Sequence, residues 1–122
     1  MSTPEELRAL VSGRTHVFEY GADPLGKPGR YVVNEYFRPD GRFVLLDTSI
    51  HRDPDGNPAD RWRVDGPRLC IVNTWLTSEE RCFEIALLKN GRVQYYISRP
   101  GHDTDGLLTK VTDSVLEGVP QL

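Results

Sequence analysis

The sequence predicts a mainly-β fold, a small antiparallel meander β-barrel with one short N-terminal helix. Beyond residue 14 the apolar and β-branched residues come in short runs rather than at helical spacing. Those runs are separated by turn chemistry: Pro39-Asp40-Gly41, Asp65-Gly66-Pro67 and, as the strongest hairpin signal, Lys89-Asn90-Gly91. No segment has the length and periodicity of a crossover helix, which excludes a doubly wound parallel sheet. Roughly six to eight strands result, and closure into a barrel is preferred because so little helix is present to cover long edges.

Thr3-Pro4-Glu5-Glu6 opens the helix: Thr3 as N-cap, Pro4 at the first helical position and Glu6 completing a capping box. Leu7, Leu10 and Val11 share one face, and Gly13 ends the element, which is too short to be stable alone. A short strand at 17–20 follows, broken by the Pro- and Gly-rich stretch 21–29. Strands at 31–38 and 42–47 form the first hairpin, and a polar loop with two prolines covers 51–59. Strands at 61–64 and 68–73 form the second hairpin, 81–88 and 92–98 the third, and 107–112 the last strand. The chain therefore reads as one domain: helix 1–13, barrel 14–112 and a C-terminal tail 113–122.

Taking Asn90-Gly91 as a two-residue loop sets Leu88 opposite Val93 and Ala86 opposite Tyr95. Centring the preceding connection on Leu76 sets Cys70 opposite Cys82 and Arg68 opposite Glu84, the latter a cross-strand ion pair. One face then holds Leu69, Ile71, Phe83, Ile85, Leu87 and Tyr96; the other holds Arg68, Cys70, Cys82, Glu84, Val93 and Tyr95. The two cysteines have two readings: a cross-strand disulfide in an oxidising compartment, or a reduced, buried pair in the cytosol. The N-terminal residues are not a signal peptide, so the expectation is a cytoplasmic protein with adjacent, reduced thiols.

The 18 acidic and 15 basic side chains give a formal charge of -3, which offers no broad attraction to nucleic acid or anionic lipid. No apolar run is long enough to span a bilayer. The histidines and cysteines lack metal-ligand spacing, and no phosphate loop, serine elbow or nicotinamide or flavin signature occurs. The expected partners therefore exclude nucleic acid and membrane, and no metal or other cofactor is expected; a homodimer is carried as an alternative assembly.

The segments Glu35-Tyr36-Phe37-Arg38-Pro39-Asp40-Gly41-Arg42, Trp62-Arg63-Val64-Asp65-Gly66-Pro67-Arg68-Leu69-Cys70-Ile71, and Cys82-Phe83-Glu84-Ile85 with Asn90-Gly91-Arg92-Val93 carry a resemblance. Over about residues 13 to 110 the chain resembles the small lipocalin-like, or calycin-like, β-barrel domains of proteobacteria. That resemblance implies an up-and-down barrel with the helix near one mouth, relatives that are often exported with bridged cysteines, and binding of hydrophobic small molecules. Some related barrels are isomerases, cyclases or dehydratases (lyases).

The expected function is binding of a small, partly apolar organic molecule in the barrel cavity. The alternatives are a cofactor-free isomerase, cyclase or dehydratase acting on such a molecule, and a structural or interaction module. Glu35, His51 and His102, in that order, are the candidate proton-transfer groups: Glu35 as a strand-interior carboxylate, His51 beside an apolar run, and His102 in a Gly-His-Asp loop at the rim. The bland reading of Glu35 is an outward residue paired to an arginine. Tyr20, Tyr36, Trp62 and Tyr95 are the candidate ligand-binding aromatics, with Arg68 and Glu84 as their polar partners; Tyr31, Tyr96 and Trp75 extend the same lining.

Overall fold

The capping box forms as its spacing predicts in the computed structural model. Thr3 Oγ1 accepts the Glu6 amide, and the Glu6 carboxylate accepts the Thr3 amide, both at 3.2 Å, at the start of α1 (Pro4–Val11). The structure describes residues 3–22, 25–26, 28–48 and 50–118, so the middle of the 21–29 break and the last four residues of the tail lie outside the described residues. No helix among the described residues is long and apolar enough to cross a membrane.

Nine strands follow among the described residues: β1 (Arg14–Ala22), β2 (Arg30–Phe37), β3 (Phe43–Asp47), β4 (Arg61–Asp65), β5 (Arg68–Val72), β6 (Arg81–Leu87), β7 (Val93–Ile97), β8 (Leu108–Thr112) and β9 (Ser114–Glu117). They make two antiparallel sheets, one ordered β3-β2-β1-β9 and the other β4-β5-β6-β7-β8. The mainly-β class and the single short helix are as the sequence predicts. Residues 114–117, read from the sequence as tail, instead pair with β1 as an edge strand.

The sheets meet at two seams. At one, β8 turns at Asp113 into β9, and the Thr112 hydroxyl donates to the Val17 carbonyl. At the other, an isolated Arg42–Arg61 bridge and a bond from Trp62 N to Gly41 O at 2.9 Å tie the start of β3 to β4. Neither seam is a continuous ladder, so the sheets are not closed. The 48–60 connection separates the rest of β3 from β4.

One register differs from expectation by a single residue. Leu88 N donates to Arg92 O at 2.8 Å, so the loop is Lys89-Asn90-Gly91, three residues long, with Gly91 at φ 86°. Three-residue loops place a residue in the left-handed region at this position, and glycine adopts it without penalty. The pairs are therefore Leu87–Val93 and Ile85–Tyr95. A slip of one residue inverts a strand's faces, which moves Val93 and Tyr95 from the face of Cys70, Cys82 and Glu84 to the interior face of Leu69, Phe83 and Ile85.

The interior holds Phe18, Phe37, Phe43, Leu69, Ile71, Phe83, Ile85, Val93 and Tyr95, closed at one end by Leu7 and Val11 of α1. The helix packs on β1, β4 and β5, so it plugs that end of the two sheets. At the opposite, open end gather the last residues of β1 and β3, the first of β2, β6 and β8, and the loops 48–60, 73–80 and 98–107.

Candidate functional site

Four polar side chains cross the interior. His16 and Glu35 are cross-strand neighbours on β1 and β2, and Lys110 stands opposite Tyr95 in the β7–β8 ladder, next to a register shift. Lys110 Nζ donates to both Glu35 carboxylate oxygens, at 2.9 and 2.8 Å, and lies 4.5 Å from the centre of the Phe18 ring and 4.7 Å from that of Tyr95. Ammonium over aromatic faces is a favourable arrangement in a desolvated site. His16 Nε2 lies 3.1 Å from the Leu10 carbonyl, and its Nδ1 lies 2.6 Å from the Tyr95 hydroxyl. A carbonyl only accepts, so Nε2 carries the proton and the Tyr95 hydroxyl donates to Nδ1.

That tautomer is neutral, and the surroundings keep it so. Burial lowers the His16 pKa to about 4, against weaker upward pulls from the Leu10 carbonyl and Glu35. Burial, with the Glu35 charge second, holds the Tyr95 hydroxyl well above its ordinary value and therefore protonated. His16 thereby ties the helix, the first sheet and the second sheet together through one ring. Each of the four groups has its partner.

The open end is different. A cleft of about 810 Å³ there is lined by Leu45, Ile50, His51, Asn57, Asp60 and Trp75, among others. Two carboxylates build it. Asp47 accepts the Ile50 and His51 amides at 2.5 and 2.9 Å and the Tyr31 hydroxyl at 2.5 Å, which turns the chain after β3 and presents His51. Asp60 accepts the Thr74 amide and hydroxyl at 3.0 and 2.7 Å, which holds the residue preceding Trp75. The His51 and Trp75 rings meet edge to face, with centres 4.5 Å apart, and Trp75 is 57% exposed. Among the described residues His51 Nε2 is buried without a hydrogen-bond partner, and Asp47 Oδ2 at 3.9 Å is beyond hydrogen-bonding reach. A second cleft, of about 760 Å³, shares the 73–80 loop with the first and is lined by Arg68, Arg81, Phe83, Arg99 and His102, among others.

The structure therefore separates the sequence-derived candidates. Glu35 points inward but is bonded to Lys110, not to an arginine, and Tyr95 is completely buried against His16. Tyr20 stands at the open end, 45% exposed and 6.3 Å from the Tyr31 ring. Tyr36 lies on the opposite face of β2, paired with Thr15 and Val44. Trp62 donates its indole N–H to the Arg38 carbonyl at 2.8 Å and packs on Phe37 at the α1 end, away from both clefts. His102 is exposed in its loop, held by Thr104 and Asp103. Arg68 does stand opposite Glu84, yet its guanidinium bonds Asp65 at 2.5 Å instead, since Asp65 lies across the tight turn on the same hairpin.

Cys70 pairs with Cys82 in the expected register, and the structure carries the disulfide, with Cα atoms 4.0 Å apart. The sulfurs and Glu80 are the one set of potential metal ligands close together among the described residues. Bonded sulfurs are not thiolate ligands, and Glu80 is held in a two-pronged pair by Arg63 at 2.7 and 2.8 Å.

His16 and Lys110 were missed. The alternation His16, Phe18, Tyr20 is a signal for the first. For the second, lysine is among the residues least often buried, and its partner Glu35 lies 75 positions away in the chain.

Fold and site together define a two-sheet β domain, plugged by a helix at one end and open at the other. Compared with protein families, with curated proteins and with solved structures, the chain matches none.

Proposed function

We propose that the chain binds a small, partly apolar organic molecule at the open end, in the cleft between His51 and Trp75. The supporting observation is the buried, unpartnered His51 Nε2 beside a largely exposed indole. An unsatisfied buried polar atom costs roughly 1–3 kcal/mol, which a ligand reaching it would recover. Leu45, Ile50 and the Trp75 face supply apolar surface, and Asn57 and Asp60 supply polar groups that would orient the molecule. The core between the sheets is filled by side chains, so the ligand sits at the rim rather than deep inside. The resemblance to lipocalin-like domains agrees with this class of ligand.

A catalytic version of the reading rests on the same nitrogen. Both Glu35 oxygens are engaged by Lys110 and His102 is held in its own loop, which leaves His51 as the first choice for proton transfer in a cofactor-free isomerisation, cyclisation or dehydration. An interaction module that uses Tyr95 loses its support, because Tyr95 is interior.

Thermal shift with a panel of aromatic alcohols and heteroaromatic metabolites tests the proposal, since a ligand of the native state raises the unfolding midpoint. At least one compound should stabilise the wild type and quench tryptophan emission, and both effects should vanish in Trp75→Ala and weaken in His51→Gln. A flat panel, or binding that survives both substitutions, rejects the cleft as the site.

A further inference from the structure

The cleft on the other side of the 73–80 loop has a chemistry of its own. Arg81 begins β6 two residues before Phe83, on the same face, and its guanidinium lies 5.5 Å from the centre of the Phe83 ring. The other half-buried arginines have partners: Arg14 faces Glu117 at 3.7 Å, Arg38 bonds Asp40 at 2.7 Å, Arg42 donates to the Asp55 carbonyl at 2.8 Å and Arg68 bonds Asp65 at 2.5 Å. Among the described residues Arg81 has neither an ion pair nor a side-chain hydrogen bond, and its Nε is buried and unsatisfied. A guanidinium taken partly out of water without an acceptor is unfavourable, and its planar fork matches a carboxylate or phosphate.

The surroundings fit such a head group. Thr77, Ser98 and Thr104 bring hydroxyls to the cleft, Arg99 and His102 stand at its edge, and Phe83 and Ile97 contribute apolar surface. Glu79 and Glu80 also line it, but Glu80 is neutralised by Arg63 at 2.7 and 2.8 Å, which leaves Glu79, exposed, as the opposing charge. The 73–80 loop lines both this cleft and the His51 cleft, so the two lie at the same end of the sheets.

We infer that this cleft is an oxyanion site, which takes the carboxylate or phosphate group of a small aromatic molecule with Arg81 as its anchor. The site is separate from the His51 cleft and does not depend on it.

The test compares 2-naphthol, 2-naphthoate and 2-naphthyl phosphate, whose intrinsic fluorescence reports binding to the whole chain at neutral pH. At least one of the two anions should bind about tenfold or more tightly than the neutral alcohol, as a charge-assisted pair would give. The preference should persist in His51→Gln, fall in Arg81→Lys and disappear in Arg81→Gln; the tighter anion names the head group. Equal affinity for all three probes, no binding by either anion, or a preference that survives Arg81→Gln would overturn the inference. So would its loss in a folded His51→Gln. Because Arg81 has neither an ion pair nor a side-chain hydrogen bond among the described residues, Arg81→Gln should keep an unfolding midpoint close to that of the wild type; should it fail to fold, movement of the wild-type Arg81 Nε–Hε resonance during titration decides, and a static signal counts against the site.

Discussion

Two groups of polar residues stand within one small domain and do opposite things. In the interior, His16, Tyr95, Glu35 and Lys110 satisfy one another across four strands and the helix. At the open end, His51 and Arg81 each keep a buried nitrogen without a hydrogen-bond partner among the described residues. A closed network offers a ligand little that it does not already have; an open one does. Burial alone would have chosen Glu35 as the reactive group, and hydrogen-bond satisfaction chooses His51. Under the proposed function the interior network serves stability and the open end recognition, a division that can be broken by experiment.

The largest effect is expected at the Lys110–Glu35 pair, whose side chains are 14% and 7% exposed. Lys110→Met would leave a carboxylate among Phe18, Phe83 and Tyr95, and removing one partner of a buried pair costs about 3–5 kcal/mol. The double variant Glu35→Leu with Lys110→Met should recover most of that loss, because no uncompensated charge remains. Urea unfolding of the four members of the cycle measures it. If the double variant folds as well as the wild type and still binds ligand, the pair is structural. Loss of binding with stability restored would instead move the site into the interior.

His16 sharpens the same contrast through pH. Its pKa falls from 6.5 to about 4 on folding, chiefly by burial. Below pH 6.5 the unfolded chain takes a proton there that the folded chain refuses until about pH 4, so stability declines as pH falls through that window. The full loss is on the order of 3 kcal/mol. Glu6 and Asp65, whose pKa values are held below their ordinary ones by Thr3 and Arg68, contribute only at lower pH. The unfolding midpoint in urea should drop between pH 7 and pH 5 in the wild type. In His16→Gln it should be lower at pH 7 but nearly flat over the same range; a parallel slope would show that another group carries the dependence.

How far these regions were legible follows from what each depends on. The hairpins, the capping box and the Cys70–Cys82 register came from local chemistry, because turn residues and strand symmetry determine them. Tyr95 was placed on the wrong face because Lys89-Asn90-Gly91 supports both a two- and a three-residue loop, and one residue of difference inverts the strand. The interior polar network joins residues 75 and 79 positions apart, and no local pattern marks such a partner. The open-end clefts are assembled by Asp47 and Asp60, which sequence shows only as acids near turns. Of the candidates, His51 is legible from its neighbours in the chain, but Arg81 is not, since an arginine without an ion pair shows only once its spatial neighbours are known.

The smallest effect on stability should come from the open end, and its direction matters more than its size. Trp75 is largely exposed on a loop, so Trp75→Ala should change the folding free energy by less than about 0.5 kcal/mol, as surface substitutions usually do. His51→Leu is the more informative change. It keeps most of the ring's volume against Trp75 while removing the unsatisfied Nε2. The backbone bond from His51 N to Asp47 remains, so the turn after β3 should persist. The ligand-free variant should therefore be as stable as the wild type or more stable, by up to about 1 kcal/mol, because removing an unsatisfied buried polar group relieves its desolvation cost. Ligand binding in the cleft should be lost at the same time. Residues kept for recognition commonly trade stability for function in this way. Urea unfolding beside the thermal-shift panel measures both quantities. If His51→Leu is destabilised by several kcal/mol, His51 belongs with His16 as a structural residue, and the separation of the two regions fails.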